Sequence, residues 1–304
     1  MTMPGPKDDD APRRDWTILP LLEWTERYLR ERSFGESRLN AELLLAHALC
    51  IPRLGLYLQF DRPLAASELA LFKTLLKRRV THEPVQYILG ETEFMGLPFE
   101  VTPAVLIPRP ETEGLVEEAI RWLKSSGSAG GSVLEIGTGS GNIAVALGKF
   151  LPGLRVTSLE KSGDALDVAR RNCVRHGLDN VEFIQGDVFT AGFDGRVFDA
   201  IVSNPPYVSG AEFALLEPEV REFEPRLSTT DGADGFLFIR KIAGLACRLL
   251  RSGGGMFLEI GYGQADAAET IARESGLTGV GVLKDFAGIG RILRGFAPEG
   301  VPPP

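Results

Sequence analysis

Val133-Leu134-Glu135-Ile136-Gly137-Thr138-Gly139-Ser140-Gly141 is the stretch on which the fold turns. Val133 to Ile136 reads as a buried parallel strand, and the glycine-rich run opens a helix from Asn142 to about Phe150. Glycines at such a turn let the backbone approach a ligand closely. The pattern repeats downstream. Val156 to Leu159 is a second strand ending in Glu160, about twenty residues beyond the glycines, where a carboxylate can take both hydroxyls of a ribose. Val181 to Gln185 is a third, ending in Gly186-Asp187-Val188, a place for an adenine contact. A fourth, Phe198 to Ser203, stops at Asn204-Pro205-Pro206-Tyr207, because two consecutive prolines cannot continue a ladder.

That last tetrapeptide suits one kind of chemistry. An amide or aromatic amine nitrogen is a poor nucleophile because its lone pair is delocalised. If the Asn204 side-chain oxygen and the Pro205 carbonyl hold its two N–H bonds, the lone pair can be aimed at an incoming carbon. Pro206 stiffens this cradle, and Tyr207 offers a ring face to flatten the substrate or to favour a nearby cation such as a sulfonium. Taken singly, each residue has a plainer reading. Asn and Pro are ordinary turn residues, Glu160 a solvated charge and Asp187 a turn residue or helix cap. Taken together, the strand ends present Gly, Glu, Asp and Asn in the order that a nucleoside and a planar NH2 group require. A dinucleotide-binding dehydrogenase shares the glycines and the acid but gives no reason for the fourth ending. The missing Lys-Ser or Lys-Thr after the glycines argues against an NTPase loop.

The region from Val133 to Asn204 resembles a class I S-adenosylmethionine-dependent methyltransferase. Further upstream, Gln86-Tyr87-Ile88-Leu89-Gly90, then Phe94, then Val105-Leu106-Ile107-Pro108-Arg109-Pro110-Glu111-Thr112-Glu113 is similar to the signature of the release factor glutamine methyltransferases, the PrmC/HemK family. Pro-Arg-Pro-Glu-Thr-Glu separates that family from the ribosomal-protein glutamine methyltransferases. The resemblance implies S-adenosyl-L-methionine as cofactor and class I peptide chain release factors as partners. The methyl acceptor would be the glutamine of their Gly-Gly-Gln motif. It places Gly137, Thr138, Gly139, Ser140 and Gly141 around the methionine part of the cofactor and Glu160 on the ribose. Asp187 and Val188 go beside the adenine. Asn204 to Tyr207 surround the substrate glutamine, with Asn204, Pro205 and Tyr207 catalytic and Asn204 also touching the cofactor. The implied fold is a doubly wound, mostly parallel seven-stranded sheet with one antiparallel strand at the end. Two departures are mild: Glu160 is more often Asp in such enzymes, and Val188 is often larger.

The chain has 304 residues, 44% hydrophobic and 24% charged, as an intracellular globular enzyme of more than one domain would be. Cys50, Cys173 and Cys247 are widely spaced, and His47, His82 and His176 form no cluster, so neither a disulfide framework nor a metal site is expected. No apolar run approaches membrane-spanning length, and residues 1–15 lack a signal peptide's apolar core, which gives a cytoplasmic protein with a disordered leader. A net charge of −8 disfavours bulk nucleic-acid binding, although Lys77-Arg78-Arg79 and Arg170, Arg171 and Arg175 are local basic groups, the latter on an ordinary solvent-facing helix. A monomer is expected.

Residues 16–81 read as a helical substrate-recognition domain, with helices over Leu19 to Leu29, Ser37 to Ala48, a short piece near Leu54, and Ser67 to Arg79; Ser37 and Ser67 mark helix starts. Residues 82–112 read as a β-hairpin linker, 113–297 as the methyltransferase domain, opening with a helix from Glu113 to Lys124, and 298–304 as a tail. Met256 to Ile260, Val280 to Leu283 and Arg291 to Arg294 supply the remaining strands. The insertion from Val208 to Gly235 either covers the site or is a solvated loop. Three other functions fit parts of the pattern. An adenine-N6 nucleic-acid methyltransferase uses the same tetrapeptide, but this acidic chain lacks a basic recognition stripe. A ribosomal-protein glutamine methyltransferase is disfavoured by Pro110 to Glu113. A non-catalytic module that docks on translation factors is disfavoured by the intact glycine turn, Glu160 and Asn204.

Overall fold

The computed structural model describes residues 16–193, 195–285 and 287–300; the expected leader and residues 301–304 of the expected tail lie outside them. The chain divides into two compact units between Leu89 and Gly90.

The first unit comprises α1 (Ile18–Arg30), α2 (Ser37–Ala48), α3 (Arg53–Tyr57), α4 (Ala66–Arg79) and α5 (Val85–Leu89). Apolar residues three and four apart put one stripe of each long helix inward. Leu22 and Leu29 of α1, Leu44 and Leu45 of α2, and Phe72 and Leu76 of α4 share a buried cluster that Val85 and Ile88 of α5 join. Residues 85–89 are therefore helical rather than the start of a hairpin, because Val85 and Ile88 lie on one helical face that this core needs. Neither serine caps its helix. The N-cap positions fall at Glu36 and Ala65; the Ser37 hydroxyl donates back to the Phe34 carbonyl at 2.7 Å, and Glu68 accepts the Ala65 N–H at 2.8 Å. The two arginines of the basic run are spent internally. Arg78 pairs with Glu83 at 2.6 Å, and buried Arg79 donates to the Asn40 side-chain oxygen at 2.6 Å.

The second unit opens with a hairpin, β1 (Glu91–Phe94) and β2 (Leu97–Glu100), followed by α6 (Pro110–Ser125). Then come β3 (Ser132–Ile136), α7 (Asn142–Phe150), β4 (Arg155–Glu160), α8 (Gly163–Arg175), β5 (Val181–Gln185) and β6 (Phe198–Ser203). The insertion holds three short helices, α9 (Gly210–Phe213), α10 (Pro218–Phe223) and α11 (Arg226–Thr229). It leads to α12 (Leu237–Leu249), β7 (Leu250–Glu259), α13 (Ala265–Glu274), β8 (Thr278–Lys284) and β9 (Gly290–Phe296). The seven-stranded sheet has the order β5-β4-β3-β6-β7-β9-β8. β9 runs antiparallel to both neighbours, so the strand that comes last in the chain sits inside the sheet, not at its edge.

Both faces of the sheet are covered, and the strands show it by burying successive residues on opposite sides. Val133, Ala200, Val202 and Phe257 pack with Leu115, Val116 and Leu123 of α6 and with α7. Leu134, Ile201, Met256 and Leu258 pack with Ile239, Ile242 and Ala246 of α12 and with α13. Helix α6 begins at Pro110, three residues earlier than Glu113. Proline is at home there, since a first-turn N–H has no helical partner to lose. The hairpin belongs with this unit. Phe94 and Phe99 are buried beside α6, and Arg171 and Arg175 of α8, which face solvent as expected, also pair with Glu100 and Glu91 of the hairpin.

Candidate active site at the strand ends

The carboxyl ends of β3, β4, β5 and β6 open into one cavity of about 350 Å³, inside the range of about 300–1,000 Å³ usual for small-molecule sites. Its lining includes Gly137, Thr138, Gly139, Ser140, Glu160, Asp187, Val188, Asn204, Pro205 and Pro206, which the sequence had placed at separate strand ends. Gly137 and Gly139 have φ of 87° and 54°, the left-handed region that only glycine enters without strain. Gly141 is also left-handed, but it stands behind the wall: an added Cβ would come within 3.1 Å of Ala169, so its role is to let α7 pack closely on α8.

On this side of the cavity the polar groups are arranged around the glycine turn. Glu160 accepts the Gly139 N–H at 3.1 Å and the Ser162 N–H at 2.8 Å, one on each carboxylate oxygen. Asp187 accepts the Phe189 N–H at 3.0 Å and pairs with Lys161 at 2.9 Å; the backbone bond first, then the lysine, holds its carboxyl below the usual range. Val188 is buried, and Phe189 and Phe238 add apolar wall near it. Beneath the turn, the Thr138 hydroxyl meets that of Ser158, which donates to Glu135. Glu135 is fully buried with its other oxygen unpartnered, and burial, reinforced by the charge of Glu160, pushes its carboxyl up to about 8. Asn172 of α8, also fully buried, donates to the Ser140 carbonyl at 2.9 Å and so holds the turn from behind.

The other side is centred on Asn204. Its Nδ2 donates to Thr112 Oγ1 at 3.0 Å, and that hydroxyl donates to Glu259 Oε2 at 2.6 Å. The Tyr207 hydroxyl donates to Glu259 Oε1 at 3.2 Å. Burial, then the adjacent Glu259 charge, raises the Tyr207 hydroxyl well above its ordinary value, so it stays protonated as a donor. Tyr207 is not among the residues lining the cavity; its polar end is turned to Glu259 behind the wall. Among the described residues neither the Asn204 Oδ1 nor the Pro205 carbonyl has a hydrogen-bond partner. Two acceptors at the cavity are thus left for a ligand that brings two donors.

The insertion lines the site. Pro225, Arg226, Leu227 and Ser228 line the cavity, as do Ala104, Leu106 and Pro108. Arg109 fixes this segment by donating to both oxygens of buried Glu224, at 2.8 and 2.7 Å. At its two ends, the Gln264 side chain donates to the Tyr207 and Gly235 carbonyls at 2.9 and 3.3 Å. Thr112, Glu259, Asn172 and the Arg109–Glu224 pair were not singled out from the sequence as site residues. Thr112 and Arg109 did carry a signal, since both lie in the Pro-Arg-Pro-Glu-Thr-Glu element; Glu259 and Asn172 carried none.

The cavity can hold an elongated ligand with a hydroxylated ring at Glu160, a flat ring at Val188 and Phe189, and a planar NH2 group at Asn204. Known proteins show the family to which such a fold belongs. Residues 20–90 match the family described as PrmC N-terminal domain, and residues 115–223 match the Methyltransferase small domain. The chain is 45% identical over 280 residues to the release factor glutamine methyltransferase of Geobacter sulfurreducens, covering 92% of this chain and 96% of that protein. It is 43% identical over 291 residues to the protein of the same name from Chlorobaculum tepidum, covering 93% and 98%. Among solved structures, a methyltransferase from Pyrococcus furiosus shares the fold with a TM-score of 0.50 at 22% identity, covering 74% of this chain and 99% of that one.

Proposed function

This chain belongs to the release factor glutamine methyltransferase family, and from that premise we propose that it methylates the side-chain amide nitrogen of the glutamine in the Gly-Gly-Gln motif of class I peptide chain release factors. S-adenosylmethionine would supply a methyl carbon made electrophilic by its sulfonium, whose carbon–sulfur bond breaks as nitrogen bonds the carbon, with S-adenosylhomocysteine as the leaving group. The residues of the cavity fit that cofactor: left-handed glycines open the turn for its methionine part, Glu160 keeps lone pairs for ribose hydroxyls, and Asp187, Val188 and Phe189 border a slot for adenine.

The protein's contribution to the reaction is positioning and electrostatics. Asn204 Oδ1 and the Pro205 carbonyl each accept one N–H of the glutamine amide, which turns the nitrogen lone pair toward the methyl carbon. The same two acceptors gain strength as positive character develops on nitrogen, so they favour the transition state over the bound amide. The proton then leaves a product cation that is far more acidic than the amide, and water or a carbonyl suffices to take it. Tyr207 acts through its hydroxyl on Glu259 instead of through a ring face. Pro225 to Ser228, pinned by Arg109, exclude water from one side.

The observation that carries this reading is the pair of unspent acceptors, Asn204 Oδ1 and Pro205 O, on the wall that also holds the glycine turn and Glu160. The helical unit is assigned to recognition of the release factor, and the protein is assigned to the cytoplasm as a monomer. No helix among the described residues is long and apolar enough to cross a membrane. The test is transfer of labelled methyl to a purified class I release factor and to a variant with its loop glutamine changed to alanine. Label in the first and none in the second is expected. Equal labelling of both, or label found only in nucleic acid or ribosomal protein, defeats the assignment.

A further inference from the structure

We propose that Thr112 and Glu259 are positioning residues that decide which end of the Asn204 side chain faces the substrate. An asparagine amide has an acceptor end and a donor end of nearly the same shape, so only its neighbours fix its orientation. Amide methylation, the reading on which this proposal rests, needs the acceptor end inward. A flipped Asn204 would point N–H bonds at the N–H bonds of the substrate.

The neighbours form a chain of one-way hydrogen bonds. Glu259 is 2% exposed and Thr112 1%. Both carboxylate oxygens of Glu259 accept hydroxyls, from Thr112 at 2.6 Å and Tyr207 at 3.2 Å. A threonine hydroxyl has one hydrogen. Once that hydrogen is committed to Glu259, Oγ1 offers Asn204 only lone pairs, and the facing atom at 3.0 Å is the donor, Nδ2. Oδ1 is thereby left on the cavity side. The carboxylate thus acts through two hydrogen bonds on an oxygen it does not touch. Its other neighbours do not compete for the Thr112 hydrogen: Arg291 is a donor, and Glu111 acts on Glu259 only through its charge.

Threonine 112 separates this role from packing. Thr112→Val keeps the shape and loses the hydroxyl, whereas Thr112→Ser loses the methyl and keeps the hydroxyl. The relay predicts that Thr112→Val lowers kcat for release factor methylation about tenfold, the scale of one lost neutral hydrogen bond, with the KM for S-adenosylmethionine unchanged. Thr112→Ser should stay within about twofold of the parent on the same scale. Glu259→Gln should fall between them, because its amide can present either end to Thr112. The double variant Thr112→Val with Glu259→Gln should be no worse than Thr112→Val alone. If Thr112→Ser is as damaged as Thr112→Val, or Thr112→Val is unaffected, the proposal is overturned.

A substrate-free readout keeps the two claims apart. In protein labelled with nitrogen-15 only at asparagine, the Asn204 NH2 signals are identified by their loss in Asn204→Asp. They should exchange slowly with water in the parent and in Thr112→Ser, and rapidly in Thr112→Val. Signals unmoved by Thr112→Val overturn the relay even if methylation is seen. Conversely, failure of the parent to label any release factor defeats the functional reading while these signals still decide the relay.

Discussion

Glu135 on β3 and Glu259 on β7 are both buried behind the wall of one cavity, and they are treated differently. Glu135 has one oxygen bonded to Ser158, 23 residues on in the adjoining strand, and one with no side-chain partner, and Ser158 in turn meets Thr138 of the turn, 20 residues before it. Glu259 has both oxygens bonded to hydroxyls drawn from 147 and 52 residues away. Burial pushes both carboxyls above their ordinary value; at Glu135 the Ser158 hydroxyl opposes that rise, and at Glu259 the Thr112 and Tyr207 hydroxyls oppose it. On the cofactor side, then, the buried acid sits passively beneath a locally built turn. On the amide side it organises residues brought together only by the completed fold.

Five substitutions put that contrast under strain. The largest effect is expected at Glu135. A carboxyl whose folded value, about 8, lies above its ordinary 4.5 adds stability that is complete below the lower value and lost as pH rises to the higher one. Glu135→Gln removes this dependence. Its cofactor-free stability relative to the parent should therefore climb between pH 5 and pH 8, by on the order of 5 kcal/mol at most. Thermal unfolding of both proteins across that range checks it, and parallel curves would mean that Glu135 is charged at neutral pH.

Next comes Asn204→Ala, which should lower kcat by about a hundredfold or more, the scale for loss of one pre-organised polar contact, while cofactor affinity measured by calorimetry stays nearly intact. A matching loss of affinity would show that the two sides of the cavity are not separable. Glu160→Ala should do the reverse, weakening S-adenosylmethionine binding about tenfold, as for charged hydrogen bonds, with kcat little changed at saturation. The smallest effect concerns the glycines. Gly139→Ala meets no atom within 4 Å and should cost about 1–2 kcal/mol for its left-handed backbone; Gly141→Ala adds the contact with Ala169 and should melt lower still.

The same contrast explains what could be read before the structure was known. The glycine turn, Glu160 and Asp187 each follow directly on a strand whose apolar run marks its end, so pattern and position coincide. Asn204 to Tyr207 announced themselves by two prolines that no sheet interior tolerates. Tyr207, however, was expected to offer its ring face, and Gly141 to touch the cofactor. Whether a side chain points into a cavity or behind its wall is set by partners such as Glu259 and Ala169, which no local pattern reveals. Thr112 and Glu259 are neighbours through a bond spanning 147 residues, and Arg109 and Glu224 through one spanning 115. Similarly, α5 looks like strand sequence because its five residues are too few to declare a helical period, and tertiary packing decides the matter. The insertion was ambiguous for lack of any period at all; the ion pair of Arg109 with Glu224 is what places it.

The inner position of β9 has a consequence for how the chain is made. β7 acquires its second neighbour only from residues 290–296, the last strand described, and β8 pairs with nothing else. The sheet therefore cannot close until residues 290–296 have been made, and until then the growing chain carries a bare edge on β7 and an unpartnered β8, an invitation to pair with other nascent chains. Premature termination between Tyr207 and Gly290 leaves every residue of the cofactor turn and the Asn-Pro-Pro-Tyr cradle translated, yet the product is a sticky fragment rather than a smaller enzyme.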